Sequence, residues 1–249
     1  MDLINESDVK YFINKLPELN SVNVSHLIML AIKSSRIKEL YGFKLKDLVV
    51  ETKIIRPISD WKTRYFDSIN NFALLQNEGR HTYKDIVVPK EAKAIYATVN
   101  LRDNVAALND LSKENLDNIF KLGTSSKLEA LTELNKQTRK FFSKLHKHRH
   151  KSTNFVTVDI DYDAEELKKV FLNILSPLPI WMVTKTIRGY HIILDLNKSE
   201  DAKEFYVNIK KQLDKYADKF DFCRDAQEPV AGTLAYDNKG NSHYITIVQ

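Results

Sequence analysis

Glycine is scarce in this sequence of 249 residues, which contains only 6 of them. They stand at positions 42, 79, 123, 189, 232 and 240, so no two can form G-x-G-x-x-G or G-x-x-x-x-G-K-[ST]. Both of those glycine-rich loops cradle phosphates through backbone N–H groups. The sequence therefore excludes a Rossmann dinucleotide fingerprint and a P-loop.

Cysteine is scarcer still, because Cys223 stands alone. A single cysteine excludes an internal disulfide and any zinc site with two or more Cys ligands. No apolar run approaches the ~18 residues of a membrane span, and the first residues, MDLINESDVK, do not resemble a signal peptide. We expect a reduced, soluble, cytoplasmic protein with no membrane contact, and the length predicts one or two domains.

Positive charge is concentrated in one segment, residues 136–151, which has seven Lys/Arg, three His and no acid. Without these seven cations the formal net charge of +5 falls to −2. Such a segment attracts polyanions, most often nucleic-acid phosphates. The alternative is a solvated, charged helix end. Candidate nucleic-acid contacts are Arg139, Lys140, Lys144, Lys147, Arg149 and Lys151.

Two other features of this basic segment admit a second interpretation. Phe141 and Phe142 could stack on bases, or they could anchor a helix on the core. The cluster His146, His148 and His150 invites a metal interpretation, but only His146 and His150 have the i, i+4 spacing of helical ligands. Cations surround them and no acidic co-ligand is near in sequence, so we reject a metal site here.

Residues 1–83 are predicted to be a mostly helical N-terminal region. Apolar residues recur at helical spacing from Val9 to Leu16, and again from Trp61 to Ala73 after a cap at Ser59 or Asp60. Leu27, Leu30, Ala31 and Ile37 suggest a further helix between these two.

Residues 84–249 show a different pattern, in which short strands alternate with amphipathic helices. A strand at 94–101 precedes a helix capped by Asp103, and another helix runs from about 125 into the basic segment. Residues 154–223 then follow the order β-α-β-β-α-β, typical of an RRM-like or ferredoxin-like layer. We therefore predict an α+β fold with the catalytic core in 84–249.

Two aspartates share one face of the strand at 154–161. Side chains alternate along a strand, so Thr157, Asp159 and Asp161 point away from Val156 and Val158. Carboxylate oxygens in such a pair are ligands that Mg²⁺ and Mn²⁺ prefer. D-x-D is common, and by itself the pattern favours a strand end whose acids face solvent.

The next two strands supply groups suited to a triphosphate. Thr186, Arg188, Gly189 and His191 are predicted to cluster at one edge of the sheet, where they offer hydrogen-bond donors and close backbone approach. A third acid follows later in the chain, at Asp221 between two phenylalanines or at Asp225. Three carboxylates around two metal ions is the usual requirement of nucleotidyl transfer.

The ordered motifs VDID (158–161), TIRGYH (186–191) and FDF (220–222) resemble motifs I, II and III of the archaeo-eukaryotic primase superfamily, the primase-polymerases. The resemblance covers roughly 90–249. It extends to IYATVNLR, the strand before motif I, and to PVAGTLAYDNKG (229–240), although that tail lacks the Arg often found there. No zinc-binding Cys/His set and no helicase segment is present.

The resemblance implies the roles of individual residues. Asp159, Asp161 and Asp221 would bind two catalytic Mg²⁺ or Mn²⁺ ions, and His191 would contact the phosphates of the incoming nucleotide with Arg188 nearby. Asn100 and Arg102 would meet nucleotide or template. The partners implied are single-stranded DNA, nucleoside triphosphates and a separate helicase or replication protein.

The function predicted on this basis is template-dependent nucleotidyl transfer, as a DNA primase or polymerase. One alternative is a metal-dependent nuclease or phosphodiesterase that uses the same carboxylates and His191. The other is a non-catalytic RRM-like nucleic-acid-binding module, which the acids on the open face disfavour because such modules show aromatics there.

Overall fold

Two antiparallel sheets organise the chain in this computed structural model, which describes residues 2–42, 48–78, 81–83, 86–122, 132, 135–161, 165–198, 202–213, 216, 219–225, 227–237 and 239–248. The helices are α1 (Glu6–Lys15), α2 (Ser34–Tyr41), α3 (Trp61–Asn77), α4 (Asn104–Leu122), α5 (Gln137–Lys147), α6 (Glu165–Leu175) and α7 (Ala202–Leu213). No helix among these residues is long and apolar enough to cross a membrane.

The strands are short after the first two. They are β1 (Val24–Ile32), β2 (Leu48–Ile55), β3 (Thr82–Tyr83), β4 (Ile86–Val87), β5 (Lys93–Thr98), β6 (Arg102–Asp103), β7 (Phe155–Ile160), β8 (Ile180–Lys185), β9 (Tyr190–Asp195), β10 (Phe220–Arg224), β11 (Gln227–Pro229), β12 (Leu234–Tyr236), β13 (Ser242–Tyr244) and β14 (Thr246–Ile247). Helices and strands together make an α+β fold.

The first sheet has the order β11-β5-β1-β2, with β6 also paired to β1. Its centre is β1, whose nine residues are all buried. The helix predicted over residues 27–37 is therefore wrong for 27–32, which lie in β1, while α2 begins only at Ser34. A continuous apolar run has no period that separates a buried strand from a buried helix, and here long-range pairing decides the outcome.

The N-terminal residues do not form a separate helical unit. α1 and α3 confirm two of the predicted helices, but β1 pairs with β5 in the register Leu30↔Ile95, which joins residues on both sides of the predicted 83/84 boundary. A late segment of the chain also packs against the start of α1. Gly232 has φ 83°, and a Cβ at this position would lie 2.5 Å from the Asn5 carbonyl oxygen. Only glycine fits that close approach.

The second sheet has the order β10-β7-β9-β8-β14. Its first four strands in chain order, β7 to β10, alternate with α6 and α7 as β-α-β-β-α-β, as the sequence predicted. Val158, Ile192 and Leu194 face the apolar cluster that includes Phe171 of α6 and Leu213 of α7. The predicted helix start near residue 125 lies outside the described residues.

The opposite face of the second sheet is divided into two parts. At one end Phe155, Met182 and Ile193 are buried in the same apolar cluster as Ile28 and Ile95 of the first sheet. Toward the other end Asp159 and His191 stand on the same face but are only partly buried. The two sheets therefore touch at one end and leave a cleft at the other.

Asn100 fastens the two sheets together at the packed end. Its amide nitrogen donates to the carbonyl of Phe155 at 3.0 Å, and its amide oxygen accepts from the Phe155 N–H at 2.8 Å. The residue is 1% exposed. The side-chain amide of Asn100 satisfies the hydrogen bonds of the buried Phe155 N–H and carbonyl. Asn100 therefore connects β7 to the residues that follow β5.

Stability is expected to depend on pH through His26, which lies in β1 with its Nε2 2.9 Å from the carbonyl of Pro17. Burial lowers the pKa of this imidazole from 6.5 to about 4. Between pH 6.5 and about 4, the unfolded chain therefore binds a proton at this imidazole and the folded chain does not. The stability that is present above pH 6.5 is lost as the pH falls toward 4.

Replacement of His26 by Gln should remove that contribution, which has a slope of at most about 1.4 kcal/mol per pH unit. Urea unfolding at pH 7.0, 5.5 and 4.5 measures it, with exposed His243→Gln as the matched control. We expect the curves of the parent and the control to fall together and the His26→Gln curve to fall less. Three parallel curves would contradict the assignment.

Candidate active site

The cleft between the two sheets has a volume of about 580 Å³. The second sheet lines it with Asp159, Asp161, His191 and Cys223, and the first sheet contributes residues of β1, β2, β5 and β11. The turn between β8 and β9 adds Thr186 and Arg188 at the rim. The cleft thus joins groups that lie far apart in the chain. Five of the predicted site residues line it, namely Asp159, Asp161, Thr186, Arg188 and His191, whereas Asp221 does not.

Strand register brings three of the predicted site residues side by side. Asp159 of β7 is paired with Asp221 of β10 on one side and with His191 of β9 on the other. Side chains directly opposite each other on antiparallel strands have Cβ atoms about 4.5–5.5 Å apart. The D-x-D, G-x-H and h-D-h motifs therefore meet in one row across three neighbouring strands.

His191 is held between two carboxylates. Its Nε2 lies 3.1 Å from Asp159 Oδ1 and its Nδ1 lies 2.7 Å from Glu228 Oε2. Burial alone would lower the pKa of His191, but the two carboxylates outweigh it through charge and hydrogen bonds and raise the pKa. Since an ionised carboxylate only accepts, we expect both ring nitrogens to donate, as in an imidazolium.

Acidic groups dominate this end of the sheet. Burial raises the pKa of the Cys223 thiol, and the negative charges of Asp159, Glu228, Asp221 and Asp161 raise it further. The negative charges of four carboxylates therefore reach the Cys223 thiol, and the positive charge of His191 balances one of them. Hard divalent cations with oxygen ligands fit such a donor set.

The described residues contain no group of three or more His, Cys, Asp and Glu side chains already arranged to hold a metal ion. Asp159 is hydrogen-bonded to His191, and Asp221 and Asp161 are exposed. Asp159, Asp161 and Asp221 thus share one face of the sheet, but they do not form a closed set of metal ligands.

Asp225, the alternative third acid, has a different environment. Its Oδ2 accepts from Arg102 Nη1 at 2.6 Å, and its backbone has φ 76°, a left-handed conformation that is uncommon for aspartate. Asp225 lines the cleft, but Arg102 neutralises its charge. Asp221 lies in register with Asp159 and has no such partner among the ion pairs of the described residues.

Two residues predicted to meet nucleotide or template lie elsewhere. The amide nitrogen and the amide oxygen of Asn100 are both hydrogen-bonded to the Phe155 backbone, and Arg102 is 1% exposed. Arg102 Nη1 donates to the carbonyl of His146 at 3.1 Å as well as to Asp225. Neither side chain lines the cleft, and both have structural roles, so their contact with nucleotide or template stays a prediction.

The turn that contains TIRGYH is closed by local hydrogen bonds. The Thr186 N–H donates to the Gly189 carbonyl at 2.9 Å, and the Gly189 N–H donates to Thr186 Oγ1 at 3.2 Å. Thr186 and Gly189 therefore shape the turn, and this arrangement presents Arg188 at the rim of the cleft with 54% of its side chain exposed.

The basic segment forms α5 and the residues that follow it. Lys140 and Lys144 are paired with Glu114 of α4 at 2.7 and 2.9 Å, so they are less available to a polyanion than the sequence suggested. Lys147 and Lys151, with Arg139 and Arg149, are exposed. Gln227, which lines the cleft, lies 3.1 Å from His146 Nδ1, so the end of α5 adjoins the cleft wall.

Sequence reasoning missed two acids of this site. Glu228 on β11 belongs to the first sheet, and no spacing relates it to His191 on the second. Glu39 on α2 lies 3.0 Å from Arg188 Nη2 and 2.6 Å from Arg36 Nη1, and both arginines line the cleft. Helical periodicity alone identifies it as an exposed residue and nothing more.

Comparison with protein-family models, with curated proteins and with solved structures finds no match for this chain. The geometry of the cleft and the motifs in the sequence are therefore the basis for any functional assignment.

Glu39 should compete with anions for Arg188. An exposed ion pair is worth about 0.2–1 kcal/mol, so Glu39→Gln is expected to tighten tripolyphosphate binding by about 1.4- to fivefold. Arg188→Gln should weaken it. Calorimetric titration measures both, with Glu6→Gln as the control because Glu6 is an exposed acid paired with Lys10 on α1. Weaker binding by Glu39→Gln would show that Glu39 does not restrain Arg188.

Proposed function

We propose that this protein is a template-dependent nucleotidyltransferase that joins nucleoside triphosphates on single-stranded DNA, as a primase or polymerase. The observation that supports it best is the row formed by Asp221, Asp159 and His191 across three neighbouring strands, of which Asp159 and His191 line the cleft. The order of these motifs along the chain resembles that of the primase-polymerases, and their side-by-side register is what a shared reaction centre requires.

Asp159, Asp161 and Asp221 are the residues that would hold divalent cations. When bound, Mg²⁺ or Mn²⁺ would supply activation of a 3′-hydroxyl and charge stabilisation at a triphosphate. The donor set supports this choice, because these side chains offer oxygen ligands and carry negative charge that one imidazolium does not balance.

The remaining side chains suit the handling of phosphate. His191, with protons on both ring nitrogens, can donate Nε2–H to an anionic oxygen once a cation or a ligand draws Asp159 away. Arg188 stands at the rim of the cleft, where it can exchange Glu39 for a phosphate group. Both groups stabilise negative charge that shifts during phosphoryl transfer.

Single-stranded nucleic acid would follow the exposed cations of α5 and the residues after it. Their proximity to the cleft is supported by the hydrogen bond between Gln227 and His146. The positions of the second sheet that line the cleft include Thr157, Asp159 and His191 rather than a row of aromatics, which disfavours an RRM-like binding module.

Primer extension tests the catalytic assignment. A labelled primer on single-stranded DNA is incubated with nucleoside triphosphates and Mn²⁺, and the double variant Asp159→Asn/Asp161→Asn is compared with the parent. Loss of cation ligands should reduce incorporation by about 100-fold or more, since a bound cation supplies several kcal/mol of charge stabilisation. Urea unfolding of the variant is measured beside its activity, because loss of the Asp159 charge relieves repulsion with Asp221 but also weakens the hydrogen bond to His191.

The matched control is Asp67→Asn/Asp117→Asn, which removes two exposed acids from α3 and α4 and should leave incorporation unchanged. Full activity of the Asp159→Asn/Asp161→Asn variant would contradict the site. Shortening of labelled DNA without triphosphates, lost in the same variant, would instead identify a metal-dependent nuclease or phosphodiesterase.

The salt dependence of DNA binding tests whether single-stranded DNA lies along the exposed cations of α5 and the residues after it. Replacement of the exposed residues Arg139, Lys147, Arg149 and Lys151 by Gln should weaken single-stranded DNA binding. The slope of log K against log salt should fall by about 0.7 for each phosphate that the variant no longer neutralises. Fluorescence anisotropy between 50 and 200 mM salt measures the slope.

A control variant removes the same charge elsewhere, at the exposed residues Lys10, Lys62, Arg64 and Lys198. We expect its slope to match that of the parent protein. Equal slopes for all three proteins would show that the basic segment is only a solvated surface.

A further inference from the structure

Glu228 is a carboxylate buried at the junction of the two sheets. It lies on β11, an edge strand of the first sheet, and is 1% exposed. Both of its oxygens reach the second sheet, where Oε1 accepts from the Thr157 hydroxyl and Oε2 lies 2.7 Å from His191 Nδ1. A buried charge is costly unless it is paired and hydrogen-bonded, and here both hydrogen bonds join the carboxylate to one imidazole and its neighbouring strand.

Two carboxylates fix the plane and the direction of the His191 ring. Glu228 contacts Nδ1 from the buried junction of the two sheets, and Asp159 contacts Nε2 from the side of the proposed cation site. Asp159 has 32% of its side chain exposed, whereas Glu228 has 1%. Asp159 can therefore be drawn away by a ligand, but Glu228 keeps its hold on the ring.

Glu228 is poorly placed to be a cation ligand itself. Its oxygens are already occupied by Thr157 and His191, and it is sealed from solvent. It also carries a negative charge close to the place where a polyanion is proposed to bind. By electrostatics alone, removal of this charge should tighten anion binding.

We propose that Glu228 is a positioning residue for His191, holding Nδ1–H so that Nε2–H is directed into the cleft toward a phosphate oxygen of a nucleoside triphosphate. This inference deepens the proposed function and rests on it. Simple electrostatics predicts tighter binding of an anion when the negative charge of Glu228 is removed. The positioning role predicts the opposite, namely weaker binding of the triphosphate.

The experiment measures Mn²⁺-dependent binding of a non-hydrolysable nucleoside triphosphate by calorimetry. Glu228→Gln keeps the size of the side chain and removes its charge, so the charge-assisted hydrogen bond to His191 is lost and affinity should fall about 10-fold. Glu91→Gln is the matched control, since Glu91 also lines the cleft but is not a partner of His191. We expect unchanged or tighter binding for Glu91→Gln.

A double-mutant cycle separates positioning from a general structural role. In a His191→Ala background, Glu228→Gln should no longer weaken binding, because there is no longer a ring to position, and loss of the negative charge should leave the affinity unchanged or tighten it. An equal loss in both backgrounds, or tighter binding by Glu228→Gln alone, would overturn the inference. If Glu228→Gln fails to fold, Glu228→Asp replaces it, with a smaller loss expected because the charge is kept and the reach is shortened.

A second readout does not depend on triphosphate binding. The Nδ1–H proton of His191, identified by its absence in His191→Asn, should give a low-field NMR resonance that moves upfield or disappears in Glu228→Gln. An unchanged resonance would overturn the positioning role. If the parent protein binds no triphosphate, the proposed function fails, and this resonance alone then decides whether Glu228 positions His191.

Discussion

The arrangement of the cleft depends on an electrostatic constraint along β7. Asp159 faces Asp221 on one neighbouring strand and His191 on the other, while Asp161 follows on the same face. Like charges directly opposite each other destabilise a sheet, so packing alone does not favour this row. His191 offsets part of the repulsion because it is kept as an imidazolium between Asp159 and Glu228. A cation would offset the rest, and the proposed function follows from that remaining charge.

The fold makes this charge accessible by dividing one face of the second sheet. Phe155, Met182 and Ile193 pack on the first sheet, and Asn100 fastens the strands at that end. The other end of the same face remains open as the cleft. The first sheet then contributes Glu228 from its edge, so the site is assembled only when both sheets are in contact. Stability and the proposed chemistry are therefore linked through one interface.

The sequence predicted the second sheet well because its strands are short and separated by amphipathic helices. Strict alternation along β7 also predicted that Thr157, Asp159 and Asp161 share one face. Prediction failed at residues 27–32, since a strand buried on both faces has no period. It also missed Glu228 and the structural role of Asn100, because interactions between two sheets leave no local pattern. The roles of Lys140 and Lys144 depended in the same way on Glu114, in a separate helix.

The central claim is that Asp159, Asp161 and Asp221 bind divalent cations beside His191. Crystals soaked with Mn²⁺ and a non-hydrolysable nucleoside triphosphate test it directly, because anomalous scattering at the manganese edge locates the ions independently of the protein atoms. We expect peaks against these carboxylates with the triphosphate in the cleft near His191 and Arg188. Manganese and triphosphate bound elsewhere, with the row of aspartates left unchanged, would contradict the account.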